Sequence, residues 1–137
     1  MHTQEIIQNF NGKLVGTDFM KNVVSQTLKK LPEEIMNYLT KHCWFLSSLE
    51  DAYAYTFNGN DIKDKHFIFL SDELLNQDLT TIQYNILHEI GHVILKHRNE
   101  IGFKQSKVEI KKQELEADKF AKSYLKNGNI DLIQEVK

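Results

Sequence analysis

The stretch Asp78–His97, DLTTIQYNILHEIGHVILKH, decides how the rest of the chain is organised. Its first residue can cap a helix, and apolar residues then recur over most of the helix circumference. We therefore expect this helix in the middle of the domain. Histidines four apart lie on one helix face, so His88 and His92 can both reach one metal ion, with Glu89 beside the open coordination position. The HEIGH motif thus indicates a zinc-dependent hydrolase.

The composition indicates one globular domain without a strongly charged partner. The chain has 137 residues, 41% of them hydrophobic and 26% charged, with a net charge of −2. It shows no polybasic run suited to nucleic acid, no signal-peptide pattern and no window near the ~18 apolar residues of a membrane span. The single cysteine, Cys43, agrees with a reducing compartment. We expect a cytoplasmic protein with no direct nucleic-acid or membrane partner, and the composition leaves its oligomeric state open.

The apolar pattern predicts an α+β fold with helices packed on a small three-stranded sheet. We expect residues 1–16 to be a poorly ordered lead-in, with a short helical turn near Glu5–Phe10, and residues 17–137 to form a single domain. Helices are predicted to begin at Thr17 or Asp18, after Pro32, at Ser71 or Asp72, and at Asp78 or Thr80. Strands are predicted at 44–46, 52–57 and 66–70, with a turn at 58–61. A final helix at about 108–125 is predicted to end at Asn127-Gly128-Asn129, with a short helix after Asp131.

A catalytic zinc commonly takes three protein ligands, so one more is expected beside the two histidines. His97 lies nine residues after His88, about 900° around the helix, and points to the opposite side unless the helix ends early. Glu114, on the predicted final helix, is the stronger candidate, with Glu116 as the alternative. Asp118 lies four residues after Glu114 on the same face, where it can accept the free ring N–H of a ligating histidine.

Other residues near the motif suggest how the site would work. Glu89 can act as the general base that takes a proton from the attacking water and returns it to the leaving nitrogen. Gly91 weakens a helix interior, which predicts a neighbouring element passing close to it. Tyr84 and Tyr124 are candidates for stabilising an oxyanion, although core packing explains them as well. The strand at Ala52–Phe57 could offer an edge to an extended peptide.

The two motifs together resemble a known family. HEIGHVILKH followed by ELEADKFAKSYL resembles the ImmA/IrrE-like family of gluzincin metallopeptidases, whose signature is HExxH and then E-x-E-A-(N/D)-x-F-A. The resemblance covers about residues 78–126. It implies a minimal zincin-like metalloprotease domain, the zinc ligands His88, His92 and Glu114, and Glu89 as the catalytic acid/base.

The resemblance also implies a function. We expect a zinc-dependent endopeptidase that hydrolyses peptide bonds of a specific protein partner, for which a transcriptional repressor is one candidate. The chain departs from the family where many members carry Asn, at Asp118, and where Ser123–Asn127 replaces a Leu-Leu-Met-Pro segment. Two alternatives stay open: a zinc-stabilised binding module or pseudo-protease that regulates a partner without cleavage, and a fold whose histidines bind no metal.

Overall fold

The structure is a computed structural model that describes residues 2–48, 54–57, 65–97 and 105–136. The helices are α1 (Thr3–Asn9), α2 (Asp18–Leu28), α3 (Glu33–His42), α4 (Asp72–Leu75), α5 (Leu79–Ile94) and α6 (Lys107–Val136). The strands are β1 (Leu14–Val15), β2 (Cys43–Ser48), β3 (Ala54–Phe57) and β4 (His66–Ser71). The α+β class is confirmed. The predicted turn at 58–61 and the first two residues of the predicted strand at 52–57 lie outside the described residues.

Among the described residues, the sheet contains the three predicted strands and one more. Its order is β1-β2-β4-β3, with β1, β2 and β4 parallel and β3 antiparallel to β4. Ile68 at the centre of β4 pairs with Phe45 on one side and with Thr56 on the other. The two residues of β1 are too few to show the alternating pattern that predicts a strand. Among the described strands, β3 lies at one end of the sheet, where it has only β4 as a neighbour.

The helical turn expected near Glu5–Phe10 is present as α1, but the expectation that residues 1–16 are poorly ordered differs from the structure, because residues 3–15 contain α1 and β1. Ile6 and Phe10 lie four residues apart on one helix face and are fully buried. The Phe10 ring packs edge-on against Phe45 of β2, with the ring centroids 5.7 Å apart. The backbone N–H of Phe45 donates to the carbonyl of Lys13. Burial of these apolar side chains holds the segment against the sheet.

Helix α5 lies in the core, as its apolar circumference predicted. Its N-cap is Asp78, whose carboxylate accepts the backbone N–H of Thr81 at 3.1 Å. Ile82, Ile86, Leu87 and Ile90 are at most 1% exposed. The helix contacts α2, α4, α6, β3 and β4. Its position fixes where the motif residues point.

The final helix is longer than predicted. It was expected to end at Asn127-Gly128-Asn129, but α6 continues through these residues to Val136. Glycine in a helix interior costs only about 1 kcal/mol relative to alanine, which one position in a 30-residue helix can tolerate. Within the described ranges, no helix combines the length and apolar character needed to cross a membrane.

Candidate metal centre

The candidate site contains two histidines of α5 that lie side by side. His88 and His92 are one helical turn apart, and their ring centroids are 4.9 Å from each other. Each side chain is 13% exposed. Glu89 is adjacent in sequence but 7% exposed. The helix therefore presents both imidazoles on one face. The carboxylate of Glu89, which lies between the two histidines in the sequence, is buried.

The two long helices approach each other closely at Gly91. A Cβ placed on this glycine would lie 3.3 Å from the Cα of Ala117 and 3.2 Å from the Cδ1 of Phe120, both on α6. Ala117 and Ala121 are fully buried. Small residues on both helices let their backbones come together, and the prediction of a close neighbour at Gly91 is confirmed. This contact places the acidic residues of α6 opposite the histidines.

Glu114 of α6 meets both histidines. Its Oε2 lies 2.8 Å from Nε2 of His88, and its Oε1 lies 3.4 Å from Nε2 of His92. The two rings thus direct the same nitrogen, Nε2, at one carboxylate. Glu116, the alternative third ligand, makes neither contact and instead lies 2.8 Å from His97. The geometry favours Glu114 over Glu116 as the partner of the two histidines.

Asp118 lies behind His88. Its Oδ1 is 3.0 Å from Nδ1 of His88, although this nitrogen has no well-aligned hydrogen bond among the described residues. The same oxygen accepts a hydrogen bond from the Tyr84 hydroxyl. Burial, followed by this hydrogen bond, raises the pKa of Tyr84 to about 12. Tyr84 therefore supports Asp118 in this structure, which differs from the oxyanion role considered for it.

Glu89 is held by a residue that the sequence did not indicate. The Thr56 hydroxyl, on β3, donates to Oε1 of Glu89 at 2.6 Å, and both residues are buried. Burial raises the pKa of Glu89, and the hydrogen bond from Thr56 opposes that rise. No local pattern links the two residues, since 33 positions separate them. Strand β3 thus fixes the orientation of the carboxylate.

His97 also joins the site, contrary to the expectation that it points away. Its Nδ1 lies 2.9 Å from Nδ1 of His92, and its Nε2 lies 2.8 Å from Oε1 of Glu116. The calculation of about 900° assumed a continuous helix, but α5 ends at Ile94 and the chain reverses there. His97 therefore lies next to Nδ1 of His92, whereas Nε2 of the same ring faces Glu114.

The residues present fit a divalent metal of the zinc type. Zinc binds imidazole and carboxylate at about 2.0–2.2 Å in tetrahedral sites, which puts neighbouring ligand atoms about 3.3 Å apart. The contacts of Glu114 with His88 and His92, at 2.8 and 3.4 Å, bracket that spacing. Burial lowers the pKa of His92 to about 4, so its ring is neutral near pH 7, as metal binding requires.

A second grouping of donor atoms overlaps the first. One potential ligand atom from each of His88, Glu89 and His92 lies within 4.8 Å of the others, so these three residues could also hold a metal ion. The two groupings share both histidines and differ in the carboxylate. The first would hold the metal between α5 and α6, whereas the second needs residues of α5 alone.

Comparison with known protein families supports a peptidase, and therefore a hydrolase. The family whose model matches is described as Peptidase U49, and the match spans residues 68–135. That range runs from β4 through most of α6 and contains every site residue described above except Thr56. Neither the curated proteins nor the solved structures gave a significant match to this chain. The resemblance to the ImmA/IrrE-like family stays a prediction.

Proposed function

We propose that the protein is a zinc-dependent endopeptidase in which His88, His92 and Glu114 bind the metal and Glu89 is the general base. The observation that carries this proposal is the convergence of two Nε2 atoms on one carboxylate, beside a second carboxylate, that of Glu89, which is buried and held by Thr56. When bound, zinc polarises the substrate carbonyl and lowers the pKa of a water ligand toward about 7. A peptidase acts on a protein or peptide substrate, which agrees with the family match.

Glu89 suits the role of base better than that of ligand. One of its oxygens, Oε1, is held by Thr56, whereas the carboxylate of Glu114 contacts both histidines through its two oxygens. Burial raises the pKa of Glu89 and so brings its proton affinity closer to neutral pH, where a general base is most effective. Glu89 accepts the proton of the attacking water and then donates it to the departing amine nitrogen.

The position of Thr56 suggests where the substrate lies. Thr56 is on β3, at the end of the sheet as far as the described strands extend, and its side chain reaches Glu89. An extended peptide that pairs with the outer edge of β3 would pass beside the base, as strand addition requires. The substrate is a specific protein partner, and the ImmA/IrrE-like resemblance suggests a transcriptional repressor.

The test compares metal content with cleavage. Wild-type protein should contain one equivalent of zinc by elemental analysis, Glu89→Gln should retain it, and His92→Ala should lose most of it. A cell lysate incubated with wild-type protein should show new peptide N-termini that are absent with Glu89→Gln. The control Glu73→Gln alters an exposed carboxylate on α4 and should behave as wild type.

Each outcome has a clear meaning. Wild-type cleavage by Glu89→Gln would exclude Glu89 as the base. A wild-type protein without zinc would exclude both the peptidase mechanism and the zinc-stabilised binding module. Zinc binding without any cleavage, together with a cellular phenotype that Glu89→Gln does not alter, would favour the binding module.

A further inference from the structure

A chain of hydrogen-bonding groups runs from His92 away from the proposed metal position. Nδ1 of His92 lies 2.9 Å from Nδ1 of His97, and Nε2 of His97 lies 2.8 Å from Oε1 of Glu116. His97 is 7% exposed, whereas the Glu116 side chain is 45% exposed. Both ring nitrogens of His97 therefore lie within hydrogen-bonding distance of residues other than Glu114.

The backbone after α5 holds His97 in this place. The N–H of His97 donates to the carbonyl of His92 at 3.0 Å, and the N–H of Lys96 donates to that of Val93 at 3.2 Å. Lys96 has a φ of 59°, in the left-handed region. This pair of bonds with a left-handed residue between helix and loop is a Schellman motif. The motif reverses the chain and brings His97 back over the turn that carries His92.

A metal bound at Nε2 of His92 would fix the positions of the protons along these contacts. A ring that offers Nε2 to a metal carries its proton on Nδ1, so His92 donates from Nδ1 to Nδ1 of His97. His97 then accepts on Nδ1 and carries its own proton on Nε2, which it donates to the carboxylate of Glu116. In this arrangement each of the two contacts has one proton.

We propose that His97 and Glu116 are positioning residues that orient the His92 ring and fix the proton on its Nδ1, so that Nε2 is free to bind the metal. This inference rests on the metal site of the proposed function. Hydrogen bonds from ligating imidazoles to outer groups commonly have this role, and their loss typically weakens metal binding by about 10- to 100-fold. The inference gives His97 a function other than that of a ligand.

The two ligating histidines would then be supported in different ways. His88 has a carboxylate, Asp118, directly behind it, with 3.0 Å between Nδ1 and Oδ1. His92 is linked to its carboxylate, Glu116, through His97. Both carboxylates belong to α6, which also carries Glu114, so one helix would provide the third ligand and both outer acceptors.

The test measures zinc affinity by competition with a chromophoric chelator, without reference to activity. His97→Phe keeps an aromatic ring but removes both nitrogens, and Glu116→Ala removes the terminal acceptor. Each should weaken zinc binding about 10- to 100-fold. The double variant should bind zinc no more weakly than His97→Phe alone, because the two residues act in series. His97→Asn keeps an acceptor near the Nδ1 position and should recover part of the affinity.

Controls separate positioning from folding. Glu109→Gln changes an exposed carboxylate about two turns before Glu116 on α6 and should leave the affinity unchanged. The visible absorption of the cobalt-substituted protein should shift in His97→Phe and Glu116→Ala but not in Glu109→Gln, because it reports ligand geometry. If His97→Phe does not fold, Glu116→Ala still tests the positioning role. The Glu116 side chain is partly exposed, so its removal should not prevent folding.

The outcomes distinguish this inference from the proposed function. Zinc affinity within twofold of wild type in both His97→Phe and Glu116→Ala, with an unchanged cobalt spectrum, would overturn the positioning role and leave the peptidase intact. Absence of zinc binding by the wild-type protein would instead overturn the proposed function. Independent, additive losses in the two single variants would overturn the series arrangement.

Discussion

Replacing Gly91 by alanine tests the close packing that brings the two halves of the site together. In an isolated helix this change would stabilise the helix by about 1 kcal/mol, because glycine has the greater conformational freedom in the unfolded chain. In this protein we expect the opposite sign. The new Cβ would lie 3.3 Å from the Cα of Ala117 and 3.2 and 3.3 Å from the Cδ1 and Cβ of Phe120.

The magnitude follows from these distances. Carbon atoms in good contact are about 3.5–4.0 Å apart, so all three contacts are too short by a few tenths of an ångström. The Phe120 ring can adjust, but the Cα of Ala117 moves only if α6 moves. Overpacking of this kind costs about 1–3 kcal/mol, which outweighs the helix propensity. We expect Gly91→Ala to lower the free energy of unfolding by about 1 kcal/mol, and Gly91→Val by about 3 kcal/mol.

The assay is urea denaturation of the metal-free protein, followed by a zinc competition titration. Glu114 lies one turn from Ala117 on α6, so a displaced helix should also weaken zinc binding. The control Thr80→Ala, on the exposed first turn of α5, changes helix propensity alone and should leave zinc affinity unchanged. An increase of about 1 kcal/mol in the stability of Gly91→Ala, with unchanged zinc affinity, would refute the argument.

Three further predictions concern the surroundings of the site. Lys96→Gly should raise the free energy of unfolding, measured by urea denaturation, by about 1 kcal/mol, because Lys96 has a φ of 59° that glycine adopts without steric cost. An unchanged free energy of unfolding would contradict the Schellman motif at the end of α5. Thr56→Val removes the hydrogen bond that lowers the pKa of Glu89, so the acidic limb of the pH–activity profile should move to higher pH, and an unmoved limb would exclude this contact. The free energy of unfolding of the metal-free protein should fall by up to about 3 kcal/mol as the pH is lowered from 6.5 to about 4, because the pKa of His92 is about 4 in the folded state and the unfolded chain takes up the proton first. Denaturation of His92→Gln over the same pH range should show a smaller fall. An equal fall in the variant would contradict the lowered pKa of His92.

Helical spacing was enough to predict much of the site from the sequence. His88 and His92 share a face because they are four residues apart, and the same rule puts Glu114 and Asp118 on one face of α6. The structure places Glu114 against both histidines and Asp118 within 3.0 Å of His88. The glycine between the histidines correctly predicted a close neighbour, because a helix rarely keeps glycine without a packing reason.

The features that the sequence did not predict depend on contacts between distant residues or on unusual backbone angles. Thr56 reaches Glu89 only because β3 pairs with β4 and packs beside α5, and no local pattern encodes that pairing. His97 returns to the site because Lys96 takes a positive φ, a conformation for which lysine gives no sequence signal. The helical turn near Glu5–Phe10 was predicted, but the polar residues around Ile6 and Phe10 obscured the burial of these two side chains.

The crossing of α5 and α6 links the packing of the protein to the chemistry of its site. The three histidines near the site together meet three carboxylates of α6: Glu114 and Asp118 contact His88, Glu114 also contacts His92, and Glu116 contacts His97. These contacts all depend on the separation of the two helices, which Gly91 and Ala117 set. A change that moves α6 should therefore alter the proposed ligand and both outer acceptors at once, and its effect on metal affinity should exceed that of losing either acceptor alone.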